Sequence, residues 1–199
     1  MSSKSIKIAA SGTVANVSCG FDCLGYSLDG PFDVVTIKTS PKPKIDILVQ
    51  GIKSDKIPLN PEKNTAGKAI ISLLNSLDIK KGFSININKG IPPGSGIGSS
   101  AASAAAALVG VNQLLDSPVS NEDLIIHGMV GEQVASGSFH ADNIAPALLG
   151  GIILVHSYDP LEIYKLPVPN NLISTVALPN FTINTKEARR LLPKKVPLK

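Results

Sequence analysis

Positions 83 to 115 carry three consecutive signals that leave little freedom in the local fold. FSININK (83–89) alternates apolar and polar residues with a period of two, the pattern of a strand with one buried face. PPGSGIGSS (92–100) then sets Gly94, Gly96 and Gly98 among Ser95, Ser99 and Ser100. A run of small residues follows, Ala101, Ala102 and Ala104 to Ala107, before the larger anchors Leu108, Val111, Leu114 and Leu115. Alanine is the best helix former and leaves room for close approach of neighbours. The stretch predicts a strand, a glycine loop and a helix over 99–115.

Glycine admits backbone conformations and approaches that a Cβ would block. Successive N–H groups can then converge on an anion, and the helix start adds unpaired N–H groups and the positive end of its dipole. Two common phosphate motifs do not fit. No lysine follows Gly98, as a P-loop requires, and the spacing is G-x-G-x-G rather than G-x-G-x-x-G. On glycines alone, a flexible turn before a tightly packed helix remains an alternative. The serines, with hydroxyls for phosphate oxygens or a metal, favour an anion cradle.

Other strand-like stretches lie at 5–10, 34–39, 44–50, 151–155, 162–166 and 172–178. Helical periodicity appears at 64–77, with Asn64 or Thr65 as N-cap, and at 120–135. The second opens on a capping-box-like Ser120 and Asp123 and stops at Gly137. A last helix is expected at 185–192, ended by Pro193. The order is not a regular βαβ alternation, so the expected class is α+β, with helices packed on a mixed sheet. A boundary is expected near 157–160, dividing the chain into 1–157 and 158–199. The second part, about forty residues, is short for a domain, and the chain reads as cut short.

Composition bounds the function. Hydrophobic content of 43% against 17% charged residues is globular, and with no Trp the core must rest on Ile, Leu, Val and Ala. The net charge of +4 includes a cluster at Lys186, Arg189, Arg190, Lys194, Lys195 and Lys199. It reads as a solvated surface or as a partner for phosphate or carboxylate. No aromatic interleaving accompanies it, so no nucleic acid partner is expected. Cys19 and Cys23 do not make a zinc pattern and read as free thiols of a cytoplasmic protein. MSSKSIKIAA lacks the apolar core of a signal peptide, and GGIILV is too short to span a bilayer, so no membrane partner is expected.

Several polar residues stand among small neighbours. Asn16 and Asp22 lie in SGTVANVSCGFDCLG (11–25), read as a loop after the first strand; they suit a grip on an amino or hydroxyl substrate, or simple turn chemistry. Glu132 lies in GMVGEQVASG (128–137), and a carboxylate in such a setting suits Mg²⁺. His140, Asp142 and Asn143 lie in SFHADNIAP; the histidine suits a base or a structural role, and an asparagine cannot abstract a proton. Thr185 is a good N-cap, and Arg189 on the same helix could clamp a carboxylate or phosphate.

Taken together, PPGSGIGSSAAS (92–103), ANVSCGFDCLG (15–25), GSFHADNIAPALLGG (137–151) and TKEARRLLP (185–193) resemble, in order, motifs of the GHMP kinases, and within them of the homoserine kinases. The resemblance implies a fold: an N-terminal domain like the second domain of ribosomal protein S5, then a ferredoxin-like domain, here incomplete. It implies phosphorylation of L-homoserine by ATP in threonine biosynthesis, by a cytoplasmic enzyme that is a homodimer when full length. Pro92, Pro93, Gly94, Ser95, Gly96, Ile97, Gly98, Ser99, Ser100, Ala101 and Ala102 would wrap the ATP phosphates. Ser100 and Glu132 would hold Mg²⁺, and Asn64 and Lys89 would contact the nucleotide. Asn16, Asp22, Asn143 and Arg189 would bind homoserine, with Thr185 near the transfer site. Superfamily members with an aspartate base have it where this chain has Asn143, so the resemblance implies no dedicated base, with Asn143 and Asp22 orienting the acceptor hydroxyl. A further glycine-rich motif and a second substrate-binding arginine of the family do not fall within the 199 residues, which puts isolated activity in doubt and implies exposed apolar strand faces. Another small-metabolite GHMP kinase, or a non-catalytic nucleotide- or RNA-binding module of S5-like fold, are the competing readings.

Overall fold

The computed structural model describes residues 4–116, 118–137 and 139–178, together with positions 191, 193 and 195. Its strands are β1 (Ser5–Val17), β2 (Gly20–Ser40), β3 (Ile45–Gly51), β4 (Gly82–Lys89), β5 (Ile152–Tyr158) and β6 (Leu161–Leu166). Its helices are α1 (Thr65–Ser76), α2 (Ser99–Gln113), α3 (Asn121–Ser136) and α4 (Ile144–Leu149). The strands form one mixed sheet in the order β3-β4-β2-β5-β6, with β1 also paired to β2. Only β3 and β4 run parallel among the described strands, joined through α1. The α+β expectation holds.

The long strand β2 organises the sheet. Its second half pairs β4 from Val34↔Asn88 to Ser40↔Gly82, and its first half pairs β5 at Leu24↔Leu154 to Tyr26↔Ile152. β1 follows both halves, with register shifts between Ser11 and Thr13 and between Ala15 and Val17. The segment 11–25 is therefore not a loop, as expected, but the end of a β-hairpin. Its alternation is broken by these shifts, which hides the strands from a period-two reading.

Helix α2 lies on this sheet, and α1, α3 and α4 pack around it. Ala101, Ala102 and Ala104 to Ala107 are all at most 1% exposed. The small face permits a close approach: a Cβ on Gly110 would come within 2.2 Å of Ile37 Cδ1 on β2. The caps fall where the sequence places them. Asn64 Oδ1 accepts from the N–H groups of Ala66 and Gly67, Ser120 and Asp123 form a reciprocal capping box, and Gly137 ends α3 with φ at 72°.

A further expectation is corrected. Residues 172–178 form no strand; Leu172 and Ile173 are 57% and 86% exposed, and no neighbouring strand among the described residues gives them a ladder. The boundary near 157–160 falls on the β5–β6 turn, and β6 stays on the same sheet through Tyr158↔Leu161 to Ile152↔Leu166. Helix α4 was not expected, because Pro146 reads as a breaker; it sits in the first turn, where the backbone N–H has no helical partner to lose. The helix expected at 185–192, with Thr185 and Arg189, lies outside the described residues.

Candidate active site

The alternation that buries Phe83, Ile85 and Ile87 on β4 also turns Lys89 inward, and the alternation that buries Val35 and Ile37 on β2 does the same for Asp33. The two form an ion pair, with side chains 2% and 0% exposed. Asp33 Oδ1 accepts from the N–H groups of Gly90 and Ile91 at 3.0 Å each, and its Oδ2 accepts from Ser103 Oγ at 2.6 Å. Lys89 Nζ also donates to Ser99 O and Ser103 Oγ, at 2.8 Å each. Desolvation lowers the lysine pKa, and the Asp33 charge opposes this. The cluster ties both ends of the glycine loop to the sheet. Ser99 Oγ closes it by donating to Ile91 O at 2.9 Å.

Within the loop, Gly94, Gly96 and Gly98 all have positive φ, at 72°, 79° and 62°. Ile97 is buried at 3% exposure, and its carbonyl accepts from Thr13 N–H at 3.1 Å. Helix α2 begins at Gly98 with no side-chain cap. No side-chain cap thus meets its first N–H groups, which carry the positive end of the dipole. Ser95 Oγ is enclosed without a hydrogen-bond partner.

Facing this helix start, Glu132 of α3 accepts from Ser100 Oγ at 3.1 Å through Oε2. Its Oε1 is enclosed and unpartnered. Burial pushes its carboxyl up to about 7, against the Ser100 hydrogen bond; nearby Asp142 raises it further and Lys89 lowers it. A hydroxyl and an unsatisfied carboxylate oxygen beside an anion cradle suit a hard cation that completes its shell with phosphate oxygens and water. No cluster of three or more His, Cys, Asp or Glu occurs among the described residues.

At the other end, Asp22 and Asn16 sit at the β1–β2 hairpin end, both with left-handed backbones, φ 59° and 57°. Asn16 Oδ1 accepts from Asp22 N–H at 2.9 Å. The Asp22 carboxylate lies 3.3 Å from His140 Nδ1. Asn143, at the start of α4, accepts from Thr13 Oγ1 at 2.8 Å through Oδ1, which directs its NH₂ group elsewhere. A Cβ on Gly98 would lie 1.9 Å from Thr13 Oγ1 and 3.0 Å from Asn143 Oδ1, so the loop and the asparagine are in close contact.

Part of this set borders a cleft of about 590 Å³. Of the residues expected at the site, Asn64, Lys89, Pro93, Gly94, Gly96, Gly98, Ser99, Ser100, Glu132 and Asn143 line it. Pro92, Ser95, Ile97, Ala101, Ala102, Asn16 and Asp22 are not among the residues that line it, and Thr185 and Arg189 are outside the described residues. Two lining side chains are already committed. Asn64 caps α1 and donates to Pro58 O at 2.8 Å, and Lys89 uses its three donors on Asp33, Ser99 and Ser103. Sequence reasoning missed Asp33, Ser103 and Thr13, and also Lys56 and Lys63 on the cleft wall. Asp33 was open to detection, since it shares the parity of Val35 and Ile37 on β2. Lys56 and Lys63 carry no such pattern.

The fold and the site together define a protein class. Residues 64–151 match the family model described as the GHMP kinases N terminal domain. Homoserine kinase of Methanococcus vannielii is 45% identical over 196 residues, which cover 98% of this chain and 64% of that protein. Homoserine kinase of Chlorobaculum tepidum is 40% identical, covering 98% and 63%. The crystal structure of homoserine kinase from Cytophaga hutchinsonii matches with a TM-score of 0.92 and 47% identity, over 98% of this chain and 62% of that one. The Methanococcus jannaschii mevalonate kinase, 18% identical with a TM-score of 0.63, shares the fold. The chain has the GHMP kinase fold, with the GHMP kinases N terminal domain at residues 64–151. It spans 64% of the length of the curated relatives from Methanococcus that it matches.

Proposed function

We propose that the chain supplies the nucleotide-binding part of a homoserine kinase, which transfers the γ-phosphoryl group of ATP to the side-chain hydroxyl of L-homoserine. The observation that carries this reading is the Ser100–Glu132 pair, with an enclosed, unpartnered Glu132 Oε1, set at the uncapped start of α2. The similarity to homoserine kinases supports the choice of acceptor.

The loop from Pro92 to Gly98 and the first turn of α2 would bind the phosphates through backbone N–H groups. Buried Ile97, Ala101 and Ala102 serve that role through backbone and packing, not through side-chain contact. Ser100 and Glu132 would hold Mg²⁺, which when bound supplies positive charge against the phosphates. Phosphoryl transfer has a loose transition state, so positioning and charge neutralisation do most of the work. Asn143, its amide oriented by Thr13, would direct the acceptor hydroxyl without taking its proton. Asp22 and Asn16 would hold the acceptor, helped by Arg189 and Thr185. The N-terminal unit extends to Leu166 in this reading, where β6 ends, and the rest of the chain begins the second domain. A cytoplasmic homodimer and a product destined for threonine biosynthesis belong to the same proposal.

The test is ADP release by the full-length protein with Mg-ATP and L-homoserine, mevalonate or shikimate as acceptor. Turnover should require homoserine. A preference for mevalonate would overturn the choice of acceptor, and absence of any ATP-dependent turnover would overturn the kinase reading.

A further inference from the structure

We propose that Tyr158 is a positioning residue for the acceptor end of the cleft, its hydroxyl setting the spacing between the Asp22 turn and the segment that carries Asn143. This rests on the reading of Asp22 and Asn143 as acceptor-side residues. Tyr158 is the last residue of β5 and is not part of the cleft wall. Its hydroxyl donates to Asp22 O at 2.6 Å and accepts from Ala141 N–H at 3.1 Å. One oxygen thus joins two segments that are far apart in sequence.

The joint bears on a constrained place. Asp22 has a left-handed backbone, which a residue with a Cβ seldom adopts and which persists only where its surroundings hold it. Both of its backbone polar groups are held: the N–H by Asn16 Oδ1 and the carbonyl by Tyr158. On the opposite side, Ala141 leads into α4, its carbonyl accepting from Ala145 N–H at 2.8 Å, two residues before Asn143. The gap between the segments is closed elsewhere by backbone contact, since a Cβ on Gly25 would lie 1.8 Å from Asp142 O. The Tyr158 ring also meets His140 edge-on, with centroids 5.8 Å apart and an interplanar angle of 71°. His140 in turn faces the Asp22 carboxylate. Burial pushes the phenol up to about 12, so the hydroxyl keeps its proton, and hence its donor role, at neutral pH.

Tyr158→Phe removes the hydroxyl and keeps the ring. In the full-length protein, the KM for L-homoserine should rise about tenfold, the effect of one ordinary hydrogen bond, with the KM for ATP within about twofold of wild type. The Ala141 amide should exchange its hydrogen about tenfold faster. A merely structural role would not separate the two KM values. Equal rises in both, or an unchanged homoserine KM, would overturn the proposal. If the wild-type protein does not phosphorylate homoserine, the functional reading falls. The joint is then judged by exchange alone, and an Ala141 rate unaffected by Tyr158→Phe refutes it.

Discussion

Replacing Asp33 by asparagine keeps the shape of the side chain and removes the charge on which the buried cluster depends. The new carboxamide can still accept from Gly90 and Ile91 through its oxygen. Its NH₂ group, however, would face the Lys89 ammonium and the Ser103 hydroxyl, where Asp33 Oδ2 now accepts from both. Lys89 would keep Ser99 O and Ser103 Oγ, but with its side chain 2% exposed it would have no adjacent counter-charge. Removing one partner from a buried pair costs about 3–5 kcal/mol. The reverse change, Lys89→Met, leaves Asp33 with two backbone N–H donors and one hydroxyl, and should cost less, about 1–3 kcal/mol. The double variant should fall short of the sum by at least about 1 kcal/mol, since the second change removes the charge stranded by the first. Against a total stability of about 5–15 kcal/mol, these differences are measurable by urea unfolding at pH 7, followed by circular dichroism. A larger cost for Lys89→Met than for Asp33→Asn, or strict additivity, would refute the assignment of Asp33 as the main holder of the cluster.

Two further outcomes are expected. Gly98→Ala puts a Cβ 1.9 Å from Thr13 Oγ1 at a φ of 62°, so thermal unfolding should show a loss of more than about 2 kcal/mol; a loss below about 1 kcal/mol would mean that the loop yields freely. Glu132 has its carboxyl raised from 4.5 to about 7 in the folded chain, so the native state binds the extra proton between those values. Its contribution to stability is complete below about 4.5 and is lost as pH rises through about 7. Urea midpoints measured across that range should show a decline with pH that Glu132→Gln abolishes, and an unchanged slope in the variant would contradict the burial of an acid there.

Much of this fold was legible because its signals are local. The alternation of β4, the caps of α1 and α3, and the strand–loop–helix run through α2 each depend on residues within a few positions of one another. The hairpin at 11–25 was not, because two register shifts break its period, and α4 was not, because Pro146 reads as a stop when its place in the first turn is unknown. The stretch 172–178 failed the other way. Its apolar residues suit a strand, but a strand needs a partner, and sequence pattern alone does not supply one. The site divides similarly. The loop and Glu132 announce themselves by composition, and the structure brings Ser100 to Glu132. Asp33 and Thr13 come into play only through cross-strand and strand-to-loop contacts with residues tens of positions away.

Lys89 shows why a motif-level expectation and a physical one can part. A lysine just before a glycine loop invites the reading of a phosphate ligand. Its parity on β4, shared with Phe83, Ile85 and Ile87, buries it at the cleft wall with its three donors on Asp33, Ser99 and Ser103. The composition of α2 gives a reason for such a costly group beneath the loop. From Ser99 to Ala107 the helix has only serine and alanine side chains, and its first large anchor is Leu108. Methyl-sized contacts permit close packing but resist sliding weakly, because there is little shape to interlock. Directional bonds can supply what shape does not. Lys89 and Asp33 grip Ser99 O and Ser103 Oγ on the helix, and the Gly90 and Ile91 N–H groups on the other limb of the loop. The small residues let the helix come near the sheet, and the buried charges decide where along the sheet its N-terminus stops. The position of Gly98, Ser99 and Ser100 on the cleft wall follows from that stop.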